Sequence, residues 1–169
     1  MEFWDIYDKN KRLTGRTMQR NDWCLQDGEY HLTVLGVVRH TDGRFLITRR
    51  VLTKAWAAGW WEVPGGAAMA GESSREAVNR EVFEETGLDV SALTAQPLVC
   101  YQRENPGEGD NYFVDCYLFT LNFKQSDIKI RENEALAWKL ATLAEIEELA
   151  RQGIFLHYNS IKEIFTAAD

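Results

Sequence analysis

Five glutamates, Glu72, Glu76, Glu81, Glu84 and Glu85, fall within GGAAMAGESSREAVNREVFEETGL, residues 65–88, with only Arg75 and Arg80 to balance them. If this stretch is helical, at about 100° per residue Glu81, Glu84 and Glu85 share an arc of roughly 100°. Like charges at i,i+3 and i,i+4 destabilise a helix by about 0.2–0.5 kcal/mol per pair, and carboxylates near its C-terminal end oppose the macrodipole. Oxygen donors clustered on a rigid element beside a glycine turn suit Mg²⁺ or Mn²⁺, which prefer carboxylate, carbonyl and water ligands. The alternative that needs no ion is a solvated acidic face paired with Arg75 and Arg80.

The elements that must position these acids follow from the pattern on either side. Residues 73–86 read as a helix, with Ser73 or Ser74 as N-cap and Gly87 in the C′ position that favours glycine. Pro64-Gly65-Gly66 reads as a turn in which the glycines permit close backbone approach. Upstream, WDIYDKNKRLTGRTM predicts a hairpin around Asp8-Lys9-Asn10-Lys11. A second hairpin joins residues 32–38 to 45–47 through Asp42-Gly43. Residues 98–102 and 112–119 are aromatic-rich and β-prone, separated by the loop ENPGEGD. The tail predicts a strand through Leu136, Trp138 and Leu140, a helix from about Thr142, and a last helix burying Ile161, Ile164 and Phe165.

The acidic stretch resembles the Nudix hydrolase signature, GX5EX7REUXEEXGU with U aliphatic. It runs from Gly66 through Glu72, Arg80-Glu81-Val82 and Glu84-Glu85 to Gly87-Leu88, and every fixed position matches. Residues 59–66 also fit a GxWxxPGG lead-in. So many fixed residues at set offsets make a specific signal, although the box spans residues 66–88 alone. The resemblance implies a single Nudix domain over residues 1–169, an α/β/α sandwich around a mixed sheet with an N-terminal β-hairpin. It also implies that Glu81, Glu84 and Glu85 bind Mg²⁺ or Mn²⁺, with the Gly66 carbonyl as a further ligand, Glu72 standing behind them and Arg80 orienting a glutamate by ion pairing.

The implied reaction is hydrolysis of a nucleoside diphosphate linked to another moiety, by water attack on phosphorus. Divalent ions screen the phosphate charge and acidify bound water. Glu132 and Glu134 are candidates for a distal base, as are Glu104, Glu108 and Asp110 in the long loop. Arg49, Arg50, Lys54 and Arg103 are candidates for phosphate contact. Trp56, Trp60, Trp61, Tyr101 and Tyr112 are candidates for stacking on a base, or else core aromatics.

Two other readings stay open. KNKRLTGRT and residues 31–62 also resemble the branch that includes isopentenyl-diphosphate isomerase. The reactive Cys-Gly-His turn of that enzyme falls on Gly65-Gly66-Ala67 here, so its thiol and histidine are missing, while His31 either matches a metal histidine of that enzyme or is a structural histidine at a strand edge. The other reading is a non-catalytic nucleotide-binding module, a class that typically loses motif glutamates.

A formal charge of −7 argues against a nucleic-acid polymer, which needs a basic surface. It leaves a small phosphorylated substrate, held with the help of a cation, and a homodimer is plausible for the family. The three cysteines show no CxxC spacing and read as reduced thiols. No apolar run approaches the roughly 18 residues of a membrane span, and the first residues lack a signal-peptide pattern, so a cytoplasmic protein is expected.

Overall fold

The computed structural model describes residues 1–168. Strands β1 (Phe3–Asp8) and β2 (Leu13–Gln19) form the expected hairpin. The Asp8 carboxylate accepts the backbone N–H groups of Asn10 and Arg12, which closes its polar turn. The long strand β3 (Glu29–His40) then runs through the centre of the sheet, and β4 (Phe45–Arg50) folds back on its end beyond the Asp42-Gly43 turn.

The proline-glycine segment differs from the plain turn expected of it. It contributes two short strands, β5 (Trp61–Glu62) against β4 and β6 (Gly65–Ala67) against β3, with Gly66 opposite Val34. A Cβ on Gly65 would lie 2.4 Å from the Val34 carbonyl oxygen, so only glycine lets the chain close on β3 there. Helix α1 (Ser74–Thr86) follows. The Ser73 side chain accepts the Glu76 N–H at its start, and Gly87 ends it in the left-handed conformation at φ 78°.

Strands β7 (Val99–Arg103) and β8 (Tyr112–Leu121) are antiparallel neighbours, and β8 runs parallel to β3 from His31 opposite Tyr112 to His40 opposite Leu121. Strand β9 (Ala135–Ala141) pairs with β4, and α2 (Leu143–Arg151) begins at the Thr142 cap. The last helix departs from expectation: α3 (Tyr158–Ile161) is a single turn that tightens into a 3₁₀ segment, Lys162–Thr166. Ile161, Ile164 and Phe165 are buried all the same, because three- and four-residue spacings present one face in either geometry. Among the described residues, no helix is long and apolar enough to cross a membrane.

Alternation along β3 divides the core. Leu32, Val34 and Val38 pack with Ala77, Val78 and Val82 of α1, while Leu35 and Val37 pack on the other face with Ile146 of α2 and Ile161 of α3. The mixed sheet is therefore covered by helices on both sides, the α/β/α arrangement anticipated from the sequence. Gly36 sets how close α1 comes, since a Cβ there would lie 2.5 Å from Val82 Cγ2 and 3.0 Å from Val78 Cγ2. Gly36→Val is expected to push α1 off the sheet and cost about 1–3 kcal/mol, read as a lower urea midpoint.

Candidate active site

Arg80, on α1, is the hub of the acidic cluster. Its Nε and one terminal nitrogen grip both oxygens of Glu72 at 2.6 and 2.9 Å, its other terminal nitrogen reaches Glu81 at 2.8 Å and Glu84 at 3.2 Å, and it also donates to the Ala67 carbonyl. Burial works to raise the Glu72 carboxyl, but the paired Arg80 fork and the Met69 N–H outweigh it and hold Glu72 below the usual range. Glu81 is pushed up by burial despite Arg80, with Glu84 adding to the shift. The helix thus places its acids as the 3.6-residue period requires. The i,i+4 pair Arg80–Glu84 takes part of the repulsion, and Arg131, in the loop before β9, approaches Glu84 at 3.7 Å.

Glu85 has no such relief. Among the described residues its carboxylate accepts only the Gly65 N–H, at 3.2 Å. Burial pushes it well above the ordinary carboxylate range, and the neighbouring Glu62, Glu81 and Glu134 push it further. Glu62 on β5 is raised as well, mainly by burial, although Arg50 pairs with it at 3.0 Å. The pattern read from the sequence did not single out Glu62, Arg131, Glu2 or Arg20. A two-residue strand is too short to show a period, and the others lie on a neighbouring strand end or loop; the only signal for Glu62 was its position in the residues leading to Pro64.

These groups line a cavity of 360 Å³ that also admits Arg50, Lys54 and Glu134. Glu134 is thus brought to the acids, whereas Glu132 is exposed and does not line the cavity. Arg49 turns away, donating from Nε to the Gly59 carbonyl at 2.9 Å. Glu104 is bonded to the Tyr30 hydroxyl. Arg103, Tyr112, Trp56 and Trp60 are gathered instead around a second cavity of 720 Å³, together with Glu108 and Asp110. Trp61 and Tyr101 pack against the apolar core.

Among the described residues, no three His, Cys, Asp or Glu side chains stand close enough to enclose an ion, because Arg80 draws Glu72, Glu81 and Glu84 onto its guanidinium. The donor set nevertheless fits a hard divalent cation. Glu85 is buried among like charges and has no cationic partner among the described residues, and the Gly66 backbone lies against Glu81 so closely that a Cβ would meet its Oε1 at 2.6 Å. Glu81, Glu84, Glu85 and the Gly66 carbonyl would hold such an ion.

His157, at the mouth of α3, lines the second cavity with a left-handed backbone, φ 63° and ψ 13°. Burial lowers its imidazole to about 4, and Arg103 and Arg50 add to the shift. The folded protein keeps it neutral while the unfolded chain takes up a proton near 6.5, so this contribution to stability is complete above about pH 6.5 and is lost as pH falls toward 4. His157→Asn tolerates the same backbone. Wild type is expected to lose up to about 3 kcal/mol more than this variant over that window, measured by urea unfolding at a series of pH values.

Comparison with known proteins identifies the family and the fold. Residues 29–163 match the family model described as the NUDIX domain. The chain is 31% identical over 166 residues to an uncharacterized Nudix hydrolase of Listeria monocytogenes, covering 98% of this chain and 94% of that one. It is 27% identical over 107 residues to the CTP pyrophosphohydrolase of Escherichia coli, covering 63% of this chain and 74% of the other. A solved structure from Deinococcus radiodurans superposes with a TM-score of 0.69 at 21% identity, covering 89% of this chain and 90% of that one. With its glutamate helix intact and 98% of its length matched by a relative, the chain belongs to the NUDIX family of hydrolases.

Proposed function

We propose that this protein is a Mg²⁺- or Mn²⁺-dependent pyrophosphohydrolase that cleaves a nucleoside diphosphate linked to another moiety, by attack of water on phosphorus. The observation that carries the reading is Glu85, buried among Glu62, Glu81 and Glu134 with one amide for a partner, at the wall of a cavity that also holds Arg20, Arg50, Lys54 and Arg131. Carboxylates and guanidinium groups facing one small space suit a polyphosphate accompanied by a cation and suit neither alone.

When bound, the cation supplies charge neutralisation at phosphorus and a more acidic water. The chain supplies the rest. Arg80 holds Glu72, Glu81 and Glu84 in fixed positions. Arg50 and Lys54 face the anionic substrate. Glu134 is the base candidate within reach of the acids, on a loop tied to α1 through Arg131. No cysteine lines the cavity, so the thiol chemistry of an isomerase has no residue here. The relative acting on CTP supports a nucleotide as the substrate class.

The test is a panel of nucleoside triphosphates, dinucleotides and nucleotide sugars, incubated with Mg²⁺ or Mn²⁺, with products identified by mass. Cleavage of a phosphoric anhydride that stops on chelation is expected. Tight nucleotide binding without turnover in either metal would assign the protein to the non-catalytic class.

A further inference from the structure

The second cavity has no part in the chemistry just described, yet it is joined to the first through the contact of Arg50, which lines one, with Trp56, which lines the other. Arg50 pairs with Glu62 on one side and lies over the Trp56 ring at 5.7 Å on the other. Leu156 donates its N–H to the Trp61 carbonyl, tying the segment that carries His157 to β5.

Within this cavity Asp110 is held unusually firmly for a loop residue. His31 Nε2 sits 2.9 Å from its carboxylate, and His31 is itself buried, stacked on Trp4 at 4.4 Å between ring centroids. Among the described residues His31 Nδ1 has no partner, so Asp110 is the one hydrogen-bonding group its ring reaches. The backbone is fixed as well. Asn105 donates to the Asp110 carbonyl at 2.7 Å and to the Asn111 side chain at 2.9 Å, and a Cβ on Gly109 would overlap the Trp23 carbonyl.

A carboxylate locked through one oxygen and facing open space is an acceptor-only group, matched to paired hydroxyl donors. The charged side chains at this cavity are Arg103, Glu108 and Asp110, so it is slightly anionic and a poor seat for phosphate. The rings of Trp56, Tyr112 and Tyr158 offer flat apolar faces. An uncharged group bearing hydroxyls and a planar ring fits this lining, and a second diphosphate does not.

We infer that the second cavity takes the ribonucleoside end of the substrate, with Asp110 accepting the vicinal 2′- and 3′-hydroxyls and His31 acting as its positioning residue. The inference rests on the pyrophosphohydrolase reading only for where the diphosphate lies.

The experiment measures binding, so that it does not depend on turnover. The four ribonucleoside monophosphates and their 2′-deoxy counterparts are titrated into the full chain by calorimetry with Mg²⁺ present. For the base bound best, the ribo form should bind on the order of 10- to 100-fold tighter than the deoxy form. Asp110→Asn and His31→Asn should shrink that ratio toward one by lowering ribo affinity more than deoxy affinity, whereas general loss of structure would weaken both forms alike. Equal ribo and deoxy binding by the wild-type protein, or no binding of any of the eight, overturns the inference, even if neither variant folds. So does a ratio that Asp110→Asn leaves intact. A ribo preference in a protein that hydrolyses nothing overturns the catalytic reading and leaves this one standing.

Discussion

Glu85→Gln is expected to lower turnover by roughly 10²- to 10⁴-fold while making the metal-free protein more stable. The two effects share one cause. Glu85 is buried among Glu62, Glu81 and Glu134, which raises its carboxyl well above the ordinary range, and among the described residues it accepts a hydrogen bond from the Gly65 N–H alone. A glutamine keeps that acceptor and turns an amide donor toward the remaining carboxylates, so removing the charge should stabilise the apo fold by about 1–2 kcal/mol. A saturating divalent ion should stabilise wild type by about 2.7 kcal/mol at a hundred times its dissociation constant. In the variant that gain should shrink to near zero. Thermal melts with and without Mg²⁺, beside a turnover assay, check all three. An apo variant less stable than wild type would mean that the carboxylate is already compensated in the fold.

Arg80→Ala should shift the stability of the metal-free protein in the opposite sense. The guanidinium spans Glu72, Glu81 and Glu84, and its loss leaves three part-buried carboxylates facing one another. The metal-free protein should lose about 3 kcal/mol, near the lower end for breaking a buried pair because these groups keep some contact with water. Lysine cannot replace the fork that holds both Glu72 oxygens, so Arg80→Lys should recover only part of the loss. The added Mg²⁺ should then raise the melting temperature more than it does in wild type, since it relieves the repulsion left behind. Activity should fall at least 10²-fold in Arg80→Ala because the acids are no longer held in place.

The helix and its acids were legible because a 13-residue element carries several turns of period, a capping serine and a terminal glycine, all local in sequence. The sheet order was legible only in part. Hairpins declare themselves through their turns, but the pairing of β3 with β8 depends on a long connection that leaves no local mark. That pairing decides which loops meet. It sets Tyr112 beside His31, and so places Arg103 and Tyr112 at the second cavity, away from the glutamates and from Arg50 and Lys54, the cations that share Arg103's charge. Glu62 escaped notice for a different reason. One acid in a two-residue strand has no periodicity, and its meaning appears only when β5 docks on β4 and turns it toward Glu85. Arg131 and Glu134 sit in a turn whose composition marks a loop and nothing more.

The parallel β3–β8 register joins residues as far apart in the chain as Arg39 and Thr120, 81 positions distant, and α1 lies inside the span that it closes. Such a closure is slow, since the ordering of a long segment comes before the contacts that reward it. The acidic helix is therefore held in its working place only once the strand pair has zipped. A cation that needs the assembled site cannot hasten that event, and its influence on lifetime falls on the escape rate from the native state. On the proposed metal-dependent reading, scarcity of the ion would leave the rate of folding unchanged and shorten the lifetime of the folded protein.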